Sequence, residues 1–263
     1  MAKGKEIRLK KLFNKESKNL IVVPMDHGVS LGPIDGLVDM PEAIGKVAKG
    51  GADAVLIHKG IAKNCFSGET GLIVHISAST KADIDPNCKT LVSSVEEAVR
   101  LGADGVSVHI NVGAKNGPEM IRQLGYVADA CDRWGMPLLA MMYPRGDKID
   151  NEHNPEWIKL AVRVGAELGA DIIKTNYTGD IDSFREVVSG CPVPIVIAGG
   201  PKMGSDKEVL EMVSSAMRGG ARGVSIGRNV FQHKNPEKMV KALAAIVHQG
   251  QPADKLSLIH ISE

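Results

Sequence analysis

The sequence is poor in aromatic residues, and its formal charges almost cancel. Only 3% of its 263 residues are aromatic, and 32 Lys and Arg residues face 31 Asp and Glu residues, for a formal net charge of +1. A nearly neutral chain is not expected to have nucleic acid or an anionic membrane surface as its main partner. An anionic ligand must therefore be attracted by a local cluster of basic side chains.

The cysteines are few and widely spaced. None of Cys65, Cys88, Cys131 and Cys191 stands in a C-x-x-C pair, and no spacing with histidine is typical of a zinc site. Residues 1–19 are charged and lack the apolar centre of a signal peptide, and no apolar run approaches the roughly 18 residues of a membrane span. We expect four reduced thiols in a cytoplasmic protein with no membrane partner.

Glycine is abundant, with 29 residues, and one unit recurs along the chain. The unit is a short β-branched apolar run, a polar or glycine-rich turn and an amphipathic helical pattern. Such continuous apolar runs are typical of strands buried on both faces of a parallel sheet. The runs are residues 19–27, 52–59, 71–77, 103–111, 136–144, 170–177, 193–200 and 221–229.

The repeated unit predicts the fold. Eight βα units in a chain of this length favour an α/β protein, a (β/α)8 TIM barrel. An open doubly wound sheet is the alternative, but no G-x-G-x-x-G follows the first run. The connection 60–70 shows no helical pattern and is predicted to be a loop. The predicted helices are 41–49, 94–101, 118–134, 155–168, 182–188, 206–218 and 236–248.

The predicted domain organisation is one barrel domain, residues 1–250, followed by a tail, residues 251–263. Residues 256–262 alternate apolar and polar side chains, like a lone strand, and a barrel of eight strands has no ninth place for them. We interpret the tail as an interface arm or a non-native extension.

Lys174 is the most informative candidate residue, because it directly follows two apolar residues, Ile172 and Ile173, in the sixth run. Catalytic groups of such barrels stand at the C-terminal ends of the strands. Burying an unpaired ammonium is costly, so the pKa of Lys174 should fall and release a neutral amine. That amine can attack a ketone to form a Schiff base. The alternative is a structural lysine paired with a carboxylate.

Tyr143 and Asp26 are the candidates for proton transfer. Tyr143 ends the fifth run, and neighbouring strands lie roughly 5 Å apart, so its phenol can face the same substrate carbon as Lys174. Asp26 ends the first run and can take the proton of a substrate hydroxyl. The alternatives are a tyrosine that only packs, and an aspartate that only caps a turn.

Glycine pairs and an arginine end the last two runs, where barrels of this kind bind phosphate. Backbone N–H groups and a guanidinium are suitable donors for such an anion. These residues are Gly199, Gly200, Gly227 and Arg228.

The histidines show no metal-binding motif, since neither H-x-H nor H-E-x-x-H occurs among His58, His75, His109, His153 and His233. We expect no metal site and no cofactor.

Five segments together resemble the archaeal-type class I aldolase family, over residues 8–248. The DHG, the tyrosine and the lysine are shared with fructose-bisphosphate aldolases, whereas residues 24–37 and 139–146 are more specific. The segments are MDHG (25–28), MMYPRG (141–146), IIKTNYTGD (172–180), AGGPK (198–202) and SIGRNVFQH (225–233).

The resemblance implies a role for each matching residue. It makes Lys174 the Schiff-base lysine, Tyr143 the proton donor and Asp26 the proton acceptor. It also implies that a phosphorylated sugar contacts Asp26, His27, Gly28, Val29, Ser30, Tyr143, Pro144, Arg145, Gly199, Gly200, Gly227 and Arg228.

The resemblance further implies a transaldol reaction in a homo-oligomer, with a decamer as one form. A three-carbon unit would pass from a phosphorylated ketosugar, 6-deoxy-5-ketofructose 1-phosphate, to L-aspartate semialdehyde, on a route to 3-dehydroquinate and the aromatic amino acids. The runner-up is a fructose-bisphosphate aldolase, whose second phosphate Lys59 and Arg145 would hold. The remaining alternative is a barrel that binds phosphosugars without catalysis.

Overall fold

The computed structural model describes residues 2–256, and its centre is a closed barrel of eight parallel strands. Each strand pairs with the next one along the chain, and the last pairs with the first. All eight apolar runs form strands, and the predicted (β/α)8 barrel is confirmed. The barrel strands are β1 (Leu20–Pro24), β2 (Ala54–His58), β3 (Gly71–His75), β4 (Gly105–Val112), β5 (Leu138–Pro144), β6 (Ile172–Thr175), β7 (Ile195–Ala198) and β8 (Gly223–Ser225).

Helices surround the barrel, and the seven predicted ones are all present within a few residues of their predicted ends. The described helices are α1 (Lys3–Leu12), α2 (His27–Leu31), α3 (Met40–Lys49), α4 (Lys59–Cys65), α5 (Val95–Arg100), α6 (Gly117–Trp134), α7 (Pro155–Glu167), α8 (Ile181–Ser189), α9 (Asp206–Arg218), α10 (Arg228–Phe231) and α11 (Pro236–Val247).

The prediction of a loop at residues 60–70 is wrong, because α4 occupies the first part of that connection. The helix buries only Ala62, so no repeating apolar stripe marks it in the sequence. Side-chain caps mark the starts of three other helices. Asp39, Ser94 and Ser205 each accept a hydrogen bond from a backbone N–H three residues further on, at the starts of α3, α5 and α9.

Alternation along the strands determines what enters the barrel. Leu139, Met141 and Tyr143 of β5 lie in an interior apolar cluster together with Ile172 of β6. Side chains two residues apart in a strand point to the same face, so Lys174 points inward as Ile172 does. A larger apolar cluster fills the space between strands and helices.

The N-terminal helix α1 closes one end of the barrel. Leu12 is 1% exposed and packs with the interior cluster. Lys5 is buried, and its Nζ lies 3.0 Å from Oδ2 of Asp171 and also pairs with Asp132. A cation taken out of water is tolerated only with such partners. The opposite end, where the strands terminate, stays open.

A small hairpin stands beside the open end. Residues 77–78 pair antiparallel with residues 90–91, and the segment between them lies against the barrel mouth. The Asn111 side chain on β4 donates to the Asn87 carbonyl at 2.7 Å, and Ser30 donates to the Ser79 carbonyl at 2.9 Å. We refer to residues 79–89 as the hairpin loop.

Two further points concern the chain as a whole. No helix within residues 2–256 is long and apolar enough to cross a membrane. Residues 257–262 of the predicted lone strand lie outside the described residues, and Leu256 is buried after a short 3-10 turn, Ala253–Lys255. The division into residues 1–250 and a tail stays a prediction.

Candidate active site

Lys174 is a buried cation without a partner. Its side chain lies inside β6 and is 6% exposed, and it forms no hydrogen bond or ion pair within residues 2–256. The alternative of a lysine paired with a carboxylate therefore lacks support. Burial, reinforced by the charges of Arg228 and Arg145, lowers the pKa of Lys174 to about 8 against the attraction of Asp26. The amine is thus available in its nucleophilic form near neutral pH.

Asp26 stands at the end of β1, directly before α2. Its side chain makes no capping hydrogen bond, so the alternative of a simple turn cap lacks support as well. One carboxylate oxygen is 3.7 Å from Nδ1 of His27, and the other is 3.8 Å from Nε2 of His75. Burial favours the neutral acid, but attraction to His75, His27 and Lys174 outweighs it and lowers the pKa of Asp26. The group is a carboxylate, suited to accept a proton.

Tyr143 is the penultimate residue of β5, which is the strand next to that of Lys174. Met141 of β5 pairs in register with Lys174. The tyrosine is 6% exposed, its ring centroid is 5.0 Å from that of His109, and the Arg145 guanidinium lies 4.6 Å from the ring centre. Burial raises the pKa of Tyr143, so the phenol is protonated at neutral pH. Its hydroxyl has no hydrogen-bond partner in the described part of the chain, and a proton donor is thereby left free to act on a ligand.

These three groups line one cavity of about 340 Å³ at the open end of the barrel, which we call the active-site cavity. Most predicted site residues line it too. They are Asp26, His27, Ser30, Tyr143, Arg145, Gly199, Gly200, Gly227 and Arg228.

Three predicted contact residues lie elsewhere. Gly28 and Val29 line a neighbouring, mainly apolar cavity of about 780 Å³, and Pro144 lines neither of these two cavities. The Ser30 hydroxyl is engaged with the Ser79 carbonyl. Ser30 therefore holds the hairpin loop against α2 through this hydrogen bond.

The ends of β7 and β8 form a corner with unused hydrogen-bond donors. The Nε of Arg228 and the hydroxyl of Ser225 are buried and have no partner among residues 2–256. Gly227 must be glycine, because a Cβ there would lie 2.7 Å from the Pro24 carbonyl oxygen. Gly200 has φ +64°, which also favours glycine. Orphaned buried donors beside such open backbone are suited to an oxyanion such as phosphate.

Two histidines that the sequence left unassigned face Asp26. His58 and His75 occupy paired positions on β2 and β3. One ring nitrogen of each histidine and one carboxylate oxygen of Asp26 all lie within 4.8 Å of one another. Burial lowers the pKa of His58, and it lowers the pKa of His75 to about 3, so both rings are neutral near pH 7. Neutral imidazoles and a carboxylate are a donor set that a divalent metal accepts. No local motif marks this cluster in the sequence, because it depends on the register of β2 and β3.

The lysine that lines the cavity is not the one expected from the sequence. Lys59, expected beside a second phosphate, pairs with Glu97 at 3.1 Å and does not line the active-site cavity. Lys89 does line it, although its position in an irregular connection gave no sequence signal.

Comparison with known proteins places this geometry among enzymes. A family model described as DeoC/LacD family aldolase matches residues 20–233. The 2-amino-3,7-dideoxy-D-threo-hept-6-ulosonate synthase of Halobacterium salinarum is 47% identical over 247 residues, 93% of this chain and 92% of that protein. The 2-amino-4,5-dihydroxy-6-oxo-7-(phosphonooxy)heptanoate synthase of Streptomyces griseus is 43% identical over 250 residues, 94% of this chain and 91% of that protein.

A solved structure is similar over the same length. It is an archaeal fructose-1,6-bisphosphate aldolase with the catalytic lysine covalently bound to the carbinolamine intermediate of its substrate. It is 33% identical, the TM-score is 0.87, and the match covers 93% of this chain and 99% of that one.

Proposed function

We propose, since the chain belongs to the DeoC/LacD family of aldolases, that Lys174 forms a Schiff base with a phosphorylated ketosugar. The observation that carries the proposal is the buried, unpaired amine of Lys174 in one cavity with the Asp26 carboxylate and the Tyr143 phenol. A barrel that only binds phosphosugars has no use for an unpaired buried ammonium, whose burial is costly.

The residues divide the steps as follows. The Lys174 amine adds to the ketone, and loss of water gives the protonated imine. Asp26 takes the proton of the hydroxyl two carbons away, the carbon–carbon bond breaks, and its electron pair moves into the imine to give an enamine. The first aldehyde leaves, and the enamine carbon attacks a second aldehyde. Tyr143 supplies the proton to the new alkoxide, and water releases the product and the free lysine.

The names of the curated relatives suggest the second aldehyde. Both names describe seven-carbon acids with an amino group on carbon two. A three-carbon enamine joined to L-aspartate semialdehyde, a four-carbon amino acid aldehyde, yields that skeleton. The donor in our proposal is 6-deoxy-5-ketofructose 1-phosphate, and its phosphate binds in the corner formed by Gly199, Gly200, Gly227 and Arg228. The product is a precursor of 3-dehydroquinate.

A simple fructose-bisphosphate aldolase is less well supported. That reaction needs a second strong phosphate site, and the Lys59 expected there is paired with Glu97 outside the cavity. Arg145, the other expected donor, is paired with Glu152 at 2.7 Å.

The test is product analysis by mass. The enzyme is incubated with the ketosugar phosphate, with and without L-aspartate semialdehyde, and in parallel with dihydroxyacetone phosphate or fructose 1,6-bisphosphate as donor. We expect a seven-carbon amino keto acid only when the semialdehyde is present. Cleavage of fructose 1,6-bisphosphate without any seven-carbon product would favour the runner-up instead.

The pH dependence of imine formation follows from the lowered pKa of Lys174. With a pKa of about 8, about one tenth of the amine is neutral at pH 7, whereas at the ordinary value of 10.5 the fraction is about 0.03%. Trapping of the ketosugar imine with borohydride should therefore rise with pH, with a midpoint near pH 8 and a plateau above about pH 9. A midpoint near 10.5 would contradict the burial argument. In Arg228→Ala, which loses a neighbouring positive charge, the midpoint should move upward.

Arg228→Ala should mainly raise the KM for the phosphorylated donor. Removing one charged hydrogen-bond donor costs about 1.5–3 kcal/mol, or about one to two decades in affinity. Steady-state kinetics with the ketosugar phosphate measures the effect, and KM for the acceptor aldehyde is the internal control. An unchanged donor KM would place the phosphate elsewhere.

The proposal also includes a cytoplasmic location and a homo-oligomer, with a decamer as one form. The four cysteines, all unpaired, fit a reducing compartment. Light scattering on the purified protein measures the oligomeric state.

A further inference from the structure

Lys89 is a cation of the active-site cavity that the Schiff-base chemistry does not use. It is half-buried in the hairpin loop and lines the cavity together with Lys174 and Tyr143. Its Nζ donates to the Ser79 hydroxyl, and no carboxylate pairs with it in residues 2–256. An ammonium has three donors, so Lys89 keeps hydrogen-bonding capacity for a ligand.

The hairpin loop holds Lys89 in place. The Ser79 hydroxyl that accepts from Lys89 itself donates to the Pro86 carbonyl at 2.7 Å. Asn87, two residues before Lys89, is bound through its carbonyl to the Asn111 side chain on β4. A side chain that is already hydrogen-bonded in place loses less entropy when a ligand binds. The position of Lys89 is therefore suited to a specific contact rather than to a loose surface charge.

The charge balance of the cavity calls for more than one anion. Among the described lining residues, Asp26 is the single acidic side chain. Arg228 belongs to the phosphate corner, and Arg145 is already paired with Glu152. When the phosphate of the donor is bound by Arg228, Lys89 is still a cation without an opposite charge. The basic residues of the lining are Lys89, Arg145, Lys174 and Arg228.

The environment of Lys89 also penalises its charge in the free enzyme. Burial and the neighbouring Arg145 lower the pKa of Lys89, although Asp26 and Asp83 oppose the shift. An anionic group of the ligand would stabilise the ammonium form. A single free ammonium is suited to a monoanion, such as a carboxylate.

We propose that Lys89 binds the carboxylate of the acceptor aldehyde and so selects acidic acceptors. The inference rests on the proposed function, because that function supplies an acceptor with a carboxylate. The Lys89 ammonium anchors the acid end of L-aspartate semialdehyde, while the aldehyde end meets the enamine on Lys174. Lys89 makes no bond in the reaction and moves no proton.

The experiment compares two acceptors in wild type and Lys89→Met. The acceptors are L-aspartate semialdehyde and 3-aminopropanal, which is the same molecule without its carboxylate. We expect Lys89→Met to lower kcat/KM for the semialdehyde about 10- to 100-fold more than for 3-aminopropanal. An indirect effect of the lost charge on Lys174 acts equally on both acceptors and cancels in this ratio. Lys89→Gln takes the place of Lys89→Met if the methionine variant does not fold.

Lys81→Met is the matched control, because Lys81 is an exposed lysine of the same hairpin loop. The ratio of kcat/KM for L-aspartate semialdehyde to kcat/KM for 3-aminopropanal should keep its wild-type value in Lys81→Met. Equal losses for both acceptors in Lys89→Met would overturn the inference while the proposed function stood. A wild-type enzyme that cleaves donor but never joins L-aspartate semialdehyde would overturn the proposed function and, with it, the role of Lys89.

Discussion

Lys174→Met should lower kcat by about 10⁴-fold or more, because the amine of the proposed imine is lost and Lys89, the other lysine of the cavity, is hydrogen-bonded to Ser79. The thermal stability should not fall. Methionine has a similar length and no charge, and the substitution removes an ammonium that is buried without a partner. Borohydride trapping of the ketosugar should disappear. Steady-state turnover, a melting curve and the trapping assay measure these three expectations.

Lys159→Met is a suitable control for the loss of a lysine. Lys159 lies on the outside of α7 and pairs at 2.5 Å with Glu156, away from the cavity. Turnover in this variant should equal that of wild type. If Lys174→Met kept more than a few per cent of wild-type activity, the Schiff base would have to form elsewhere or not at all.

Tyr143→Phe should lower kcat about 10²- to 10⁴-fold, the usual contribution of a general acid or base. The ring keeps its packing against His109 and its contact with the Arg145 guanidinium, and only the hydroxyl is lost. Substrate KM should therefore change much less than kcat.

Borohydride trapping separates the two steps in Tyr143→Phe. Lys174 is intact in this variant, so an adduct with the ketosugar should still form while turnover is slow. Tyr126→Phe is a matched control, because Tyr126 is exposed on α6. A nearly wild-type kcat in Tyr143→Phe would leave its hydroxyl a packing role and assign the proton transfers to Asp26.

The sequence allowed the barrel and its central lysine to be predicted for a clear physical reason. Strands buried on both faces appear as continuous apolar runs, and a lysine interrupting such a run has no ordinary place. Lys174 therefore stood out, and Tyr143 and Asp26 followed because strand ends meet at one edge. The phosphate corner was visible for the same reason, since glycine and arginine end two adjacent strands.

Residues positioned by irregular segments were not predictable in this way. Lys89 reaches the cavity through a hairpin loop whose course depends on contacts with Asn111 and Ser30, far away in the chain. His58 and His75 meet because their strands pair in register, which no local motif records. The helix α4 was missed because it buries a single alanine side chain.

The ring of strands closes between β1 and β8, where Leu20 pairs with Gly223 and Val22 with Ser225. Asp26 and Arg228 lie on the two sides of this seam, and the rings of His27 and Phe231 meet across it at 5.2 Å. During synthesis, Lys174 and Tyr143 emerge from the ribosome well before the seam can form, because its second side is made last. A lysine in an unclosed barrel stays hydrated and protonated, with its ordinary basicity. The lowered pKa of Lys174 therefore depends on closure of this seam, which brings Arg228 to the cavity.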